Sequence, residues 1–115
     1  MPVSPKFAQP PEPPYYAVIF TAQRTPGDNG YEKMAARIAE LATGQPGYLG
    51  LEGTEDSEGF EITISYWESE ECIRDWKAHL DHQIAQKQGR KLWYEHYEIR
   101  VARVERAYNM LTLTL

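Results

Sequence analysis

At 115 residues the chain can bury one hydrophobic core but not two, so a single domain is expected. A formal charge of −5, with no stripe of Lys and Arg, excludes the electrostatic footprint of a nucleic-acid binder. One cysteine, Cys72, excludes an intramolecular disulfide and a cysteine-rich zinc site, and no apolar run approaches the length of a membrane span. The expectation is a cytoplasmic protein with no nucleic-acid and no membrane partner.

Residues 1–14 hold six of the eight prolines and read as an extended arm. From Tyr15 to Arg24 the run YYAVIFTAQR is aromatic and β-branched, is free of Gly and Pro, and is stopped by Thr25-Pro26-Gly27, which predicts a strand. Asn29 is placed to cap a helix with Glu32 three residues on, and Tyr31, Met34, Ala35, Ile38, Leu41 and Ala42 recur at helical spacing up to Gly44. After the turn Gln45-Pro46-Gly47, a short strand begins at Tyr48, and Thr54 to Gly59 reads as a hairpin loop.

The next strand, Phe60 to Trp67, alternates apolar Phe60, Ile62, Ile64 and Tyr66 with Glu61, Thr63, Ser65 and Trp67. Ser69 is a candidate cap for a second helix with Glu70 and Glu71 in its first turn and an apolar stripe of Ile73, Trp76, Leu80 and Ile84, ending by Gly89. A long strand from Trp93 to Tyr108 closes the domain, and residues 109–115 form an alternating tail suited to an edge strand.

This order, β-α-β-β-α-β, is the split βαβ pattern of ferredoxin-like α+β sandwiches, in which both helices cover one sheet face. The other face then needs a partner or a ligand, and a homodimer is the expected solution. On that face the reading places Ala17, Ile19, Thr21 and Gln23 beside Thr63, Ser65 and Trp67, with Trp67 lining a pocket rather than filling core.

The segments QPGYLGLEG, ITISYWES and ESEECIRDWKAH, in that order of elements, resemble the antibiotic biosynthesis monooxygenase family of dimeric α+β barrels over about Tyr15 to Tyr108. The resemblance implies a homodimer and a cofactor-independent oxidation of a hydrophobic or aromatic small molecule, in which the protein deprotonates and confines a substrate that itself reduces dioxygen. It implies no bound metal, with haem as the alternative ligand. The haem-degrading branch of the family carries an Asn on strand one, a Trp ending strand three and a His late in the second helix. Trp67 matches the Trp, Gln23 stands near the Asn position, and Gln86 falls at the His position without an imidazole nitrogen to offer iron.

The residues carried forward are Trp67, Gln23 and His82 as catalytic candidates, His82 because an imidazole titrates near neutral pH. Arg24, Tyr66, Trp76 and Gln86 are the substrate-binding candidates. His79 and His82 lack a third ligand for a metal, and Cys72 reads as a packed thiol. Two other readings use the same dimer: a module that holds haem or another hydrophobic ligand without turnover, and a purely structural interface.

Overall fold

The order of elements in the computed structural model is that of the sequence reading: β1 (Tyr15–Arg24), α1 (Tyr31–Thr43), β2 (Tyr48–Glu55), β3 (Phe60–Trp67), α2 (Glu70–Gln83) and β4 (Tyr94–Val104). The structure describes residues 3–83 and 91–111, and of 82 and 83 the backbone alone. The strands form an antiparallel sheet in the order β2-β3-β1-β4, so the fold is the α+β ferredoxin-like sandwich.

Register decides which side chains share a face. Tyr16 pairs with Trp67, Val18 with Ser65, Phe20 with Thr63 and Ala22 with Glu61, so these eight stand on one side of the sheet. Directly opposed residues always do. The helices lie on that side: Trp67, fully buried, forms the core with Trp76 and Ala42, and Val18, Ile38, Leu41, Tyr48, Cys72, Ile73 and Leu80 pack around them.

The face expected for Trp67 is therefore corrected. Ala17, Ile19, Thr21 and Gln23 share their side with Tyr66, Ile64, Ile62 and Phe60, not with Thr63, Ser65 and Trp67. The physical reason is volume. Two tryptophans and the α1 leucine and isoleucine fill the space under the helices, so the small Thr63 and Ser65 suffice beneath them, and the apolar row of β3 turns to the face the helices leave bare.

Local chemistry sets the ends of the elements. At α1 the expected Asn29 cap is replaced: Gly30 takes the left-handed conformation at the N-cap with no side-chain cap, and Asp28 accepts hydrogen bonds from the amides of Gly30 (2.9 Å) and Glu32 (3.2 Å). A carboxylate two residues upstream satisfies donors that Asn29, itself at φ 51°, is turned away from. Ser69 caps α2 as expected, its hydroxyl accepting from the Cys72 amide at 3.2 Å. Strand β4 stops at Val104, short of the expected Tyr108, and residues 105–111 add no strand, while the rest of the tail, 112–115, lies outside the described residues.

The N-terminal arm folds back on the sheet's bare face. The Ala8 amide donates to Glu52 Oε2 at 3.0 Å, and Tyr66 donates to Glu52 Oε1 at 2.7 Å. Gly50 makes this approach possible, because a Cβ there would stand 2.8 Å from that of Ala8.

Candidate functional site

Among the described residues, α1 and α2 do not cover the whole of their own side of the sheet. Ile99 pairs with Phe20 and Val101 with Val18, which puts both on the helix side, yet each remains about half exposed at 51% and 49%. With half-buried Val18, Phe20 and Tyr97 they form an apolar floor edged by the hydroxyls of Thr63 and Ser65. A mostly apolar lining with a few convergent polar groups is the usual composition of a small-molecule site.

At one end of the floor stand the tryptophans. Trp67 stacks on Trp76 with ring centroids 5.8 Å apart, and Tyr48 meets Trp67 edge-on at 5.6 Å. The indole N–H of Trp67 donates to Ser65 Oγ at 2.9 Å, which holds that hydroxyl in place. His79 stacks on Trp76 at 5.8 Å, and its Nε2 is buried with no hydrogen-bond partner among the described residues.

At the other end, about 20 Å away by the rise along β3, is a polar cluster. Buried Tyr31, from the first turn of α1, donates to the carboxylate of buried Glu61 at 2.5 and 2.6 Å from its two oxygens. Tyr94 Oη is 3.4 Å from Tyr31 Oη, and the Tyr94 ring meets Phe20 at 5.5 Å. The Arg24 guanidinium lies 3.5 Å from the centre of the Tyr31 ring and 3.4 Å from Glu55, and its Nε is buried with no hydrogen-bond partner among the described residues. Ordinary alternation puts Arg24 on this side, and a register shift that leaves Glu95 of β4 unpaired in the ladder brings Tyr94 opposite it.

The sequence-predicted residues are dispersed. Trp67 and Trp76 meet at one end of the floor and Arg24 stands at the other. Gln23 and Tyr66 are on the opposite face of the sheet. Gln23 is tied to the Glu58 carbonyl at 2.8 Å and Tyr66 to Glu52. Gln86 and the His82 side chain lie outside the described residues. Sequence reasoning missed Tyr31 and Glu61, and placed Tyr94 only among the tyrosines that suggest an aromatic cavity. The available signal was Glu61 itself, a carboxylate inside a strand whose polar row turns out to face the helices.

No group of three or more His, Cys, Asp or Glu among the described residues is arranged to hold a metal. The Nε2 of His79, the described histidine near the tryptophans, is buried, and iron needs an imidazole nitrogen in open space, so His79 does not fit as a haem ligand. No described helix is long and apolar enough to cross a membrane.

Burial dominates the acidity of the cluster. It pushes the Tyr31 hydroxyl far above the usual phenol range, with the hydrogen bond to Glu61 adding to the shift, and it pushes Tyr94 up to about 12. Tyr66 is raised first by burial and then by its bond to Glu52. An unfolded tyrosine ionises near 10, so native Tyr31, Tyr66 and Tyr94 keep protons there that the unfolded chain gives up. Stability is complete below about pH 10 and falls from there toward about pH 12, because unfolding releases protons. Phenolate absorbance should rise in two steps, the second coinciding with unfolding, and a single step near pH 10 on a folded protein would contradict this.

No family model matches the chain. Among solved structures, it superposes on SnoaB of Streptomyces nogalater, a cofactor-independent oxygenase, with a TM-score of 0.68 over 88% of this chain and all of that one, at 14% identity. A Nitrosomonas europaea protein whose name assigns it provisionally to the antibiotic biosynthesis monooxygenases gives a TM-score of 0.64 over 85% of this chain and 94% of its own, at 13% identity. The chain thus has the fold of those monooxygenases. It is 49% identical over 96 residues, 84% of each chain, to the uncharacterized protein YqjZ of Bacillus subtilis (strain 168), and it belongs to the family of that protein.

Proposed function

We propose that the protein is a homodimeric, cofactor-independent monooxygenase acting on a flat hydrophobic or aromatic small molecule held on the floor of Val18, Phe20, Tyr97, Ile99 and Val101. The observation that supports this most is that floor itself: half-exposed aliphatic side chains on the helix side of the sheet, with hydroxyls along one edge. The fold shared with SnoaB, a cofactor-independent oxygenase, points the same way.

The chemistry asked of the protein is modest. An activated methylene of the substrate loses a proton, the resulting carbanion passes an electron to dioxygen, and the two radicals combine. Collapse of the peroxide gives a carbonyl and water, so CH₂ and O₂ become C=O and H₂O. The floor keeps the ring system away from bulk water. Trp67 acts as a positioning residue through Ser65 Oγ.

The dimer uses the bare face of the sheet, where Ile19, Ile62 and Ile64 cluster beside the charged row His96, Glu98 and Arg100 of β4. Gln23 and Tyr66 belong to that interface in this reading.

Anthrone, whose methylene is acidic, is a suitable probe. Oxygen uptake of one equivalent per anthrone, unaffected by a chelator and faster than the spontaneous rate, is the expected result. Ultracentrifugation should give a dimer that Ile62→Glu converts to monomer. An uptake indistinguishable from buffer would sink the enzyme reading, and a wild-type monomer would sink the dimer.

A further inference from the structure

The contacts of Glu61 have a direction. A carboxylate only accepts hydrogen bonds, so the Tyr31 hydroxyl must spend its one proton on Glu61, leaving its oxygen only the role of acceptor. The neighbouring hydroxyl of Tyr94 therefore donates to Tyr31. The Tyr94 oxygen keeps the capacity to accept, and its half-buried ring lies against Phe20 of the floor. Glu61 is buried to 8% exposure, the Tyr31 hydroxyl bonds to both its oxygens, and the Tyr94 hydroxyl also interacts with it, so both hydroxyls converge on one buried carboxylate.

We infer that Tyr94, Tyr31 and Glu61 form a one-way proton relay that takes the acidic proton of a substrate lying on the floor. The proton of an activated C–H or phenolic O–H passes to Tyr94 Oη, the Tyr94 proton to Tyr31 Oη and the Tyr31 proton to a Glu61 oxygen. At the end Glu61 is a carboxylic acid, both tyrosines are neutral again, and the substrate is an anion with its electron pair retained. No oxidant takes part in this step.

The 3.4 Å gap between the two hydroxyls is long beside the usual ~2.7–2.8 Å of an O–H···O bond. Such contacts commonly tighten once substrate is bound.

The relay rests on the reading of the floor as a substrate site, so its test must separate the two. Anthrone mixed with the full-length protein without oxygen reports deprotonation alone, through the visible absorbance of its anion, and tryptophan fluorescence reports binding. Wild type should bind, form the anion at neutral pH and consume oxygen when air is admitted. Glu61→Gln keeps the shape of the carboxylate and Tyr31→Phe keeps the ring. Both should still bind and melt cooperatively, yet lose the anion and slow oxygen uptake by about 100-fold or more. If both variants form the anion like wild type, the relay is wrong and the oxygenase reading stands. If wild type itself neither binds nor oxidises anthrone, both are wrong. Should either variant fail to fold, Tyr94→Phe decides alone: anion formation at the wild-type level would overturn the relay.

Discussion

Trp67→Ala is expected to lower the unfolding free energy by about 3–5 kcal/mol, the range for removing a fully buried large aromatic side chain. Trp67 is 0% exposed and is stacked on Trp76 at 5.8 Å, with Tyr48 edge-on at 5.6 Å. Deleting its ring removes the transfer energy of the indole and leaves a hole between β3 and both helices that Val18, Leu41 and Ile73 cannot close without moving. It also leaves Ser65 Oγ without its donor. Trp67→Phe keeps most of the volume and should cost less than half as much. Urea denaturation followed by circular dichroism measures both. A Trp67→Ala variant within 1 kcal/mol of wild type, on the ordinary scale of surface substitutions, would mean that Trp67 is not the centre of the core.

Gly47→Ala is expected to cost about 2–5 kcal/mol, for two reasons that separate experimentally. Gly47 has φ +81°, where an L-residue pays about 1–2 kcal/mol. A Cβ there would also stand 2.9 Å from the Cβ of Cys72 and closer still to its sulfur, in the first turn of α2. Forcing those atoms apart adds about 1–3 kcal/mol of overpacking. Gly30 shares the positive φ at +83° but has open space where its Cβ would be, so Gly30→Ala measures the backbone contribution alone. The difference between the two variants is the clash. Cys72→Ala in the Gly47→Ala background should recover part of it, since the sulfur goes and the Cβ stays. Equal losses at Gly47 and Gly30 would show that the turn and α2 are not in contact.

These two positions show what kind of information the chain carries locally. Gly47 is legible as a turn residue because Gln45-Pro46-Gly47 has no other reading. That the same turn is pressed against Cys72 is not legible, because it depends on where α2 comes to rest. Trp67 is legible as an unusual residue on a polar row. Its place in the core, rather than in a pocket, depends on Trp76 arriving above it from another element.

The alternation of Phe60, Ile62, Ile64 and Tyr66 illustrates the limit sharply. Period-two patterning says that a strand has an apolar face, but not which layer that face meets. In an isolated β3 the apolar row is the natural core face. In the folded chain the helices bring their own bulk, so the apolar row goes to the bare side, where Phe60 and Ile62 stay 43% and 38% exposed. The candidate site followed that assignment. Gln23 and Tyr66 were grouped with Trp67 across a sheet that in fact separates them.

By itself, then, the sequence determined the order and type of the elements, the turns, the Ser69 cap and the β-α-β-β-α-β topology. Each of these is settled within about a dozen residues by propensity, periodicity and Gly or Pro punctuation. Only the tertiary structure decided which face of β3 the helices take. It alone brought Tyr31, Glu61, Tyr94 and Arg24 together from α1, β3, β4 and β1. Those outcomes depend on volume and charge contributed by segments distant in the chain, and no local pattern encodes which distant segment will supply them.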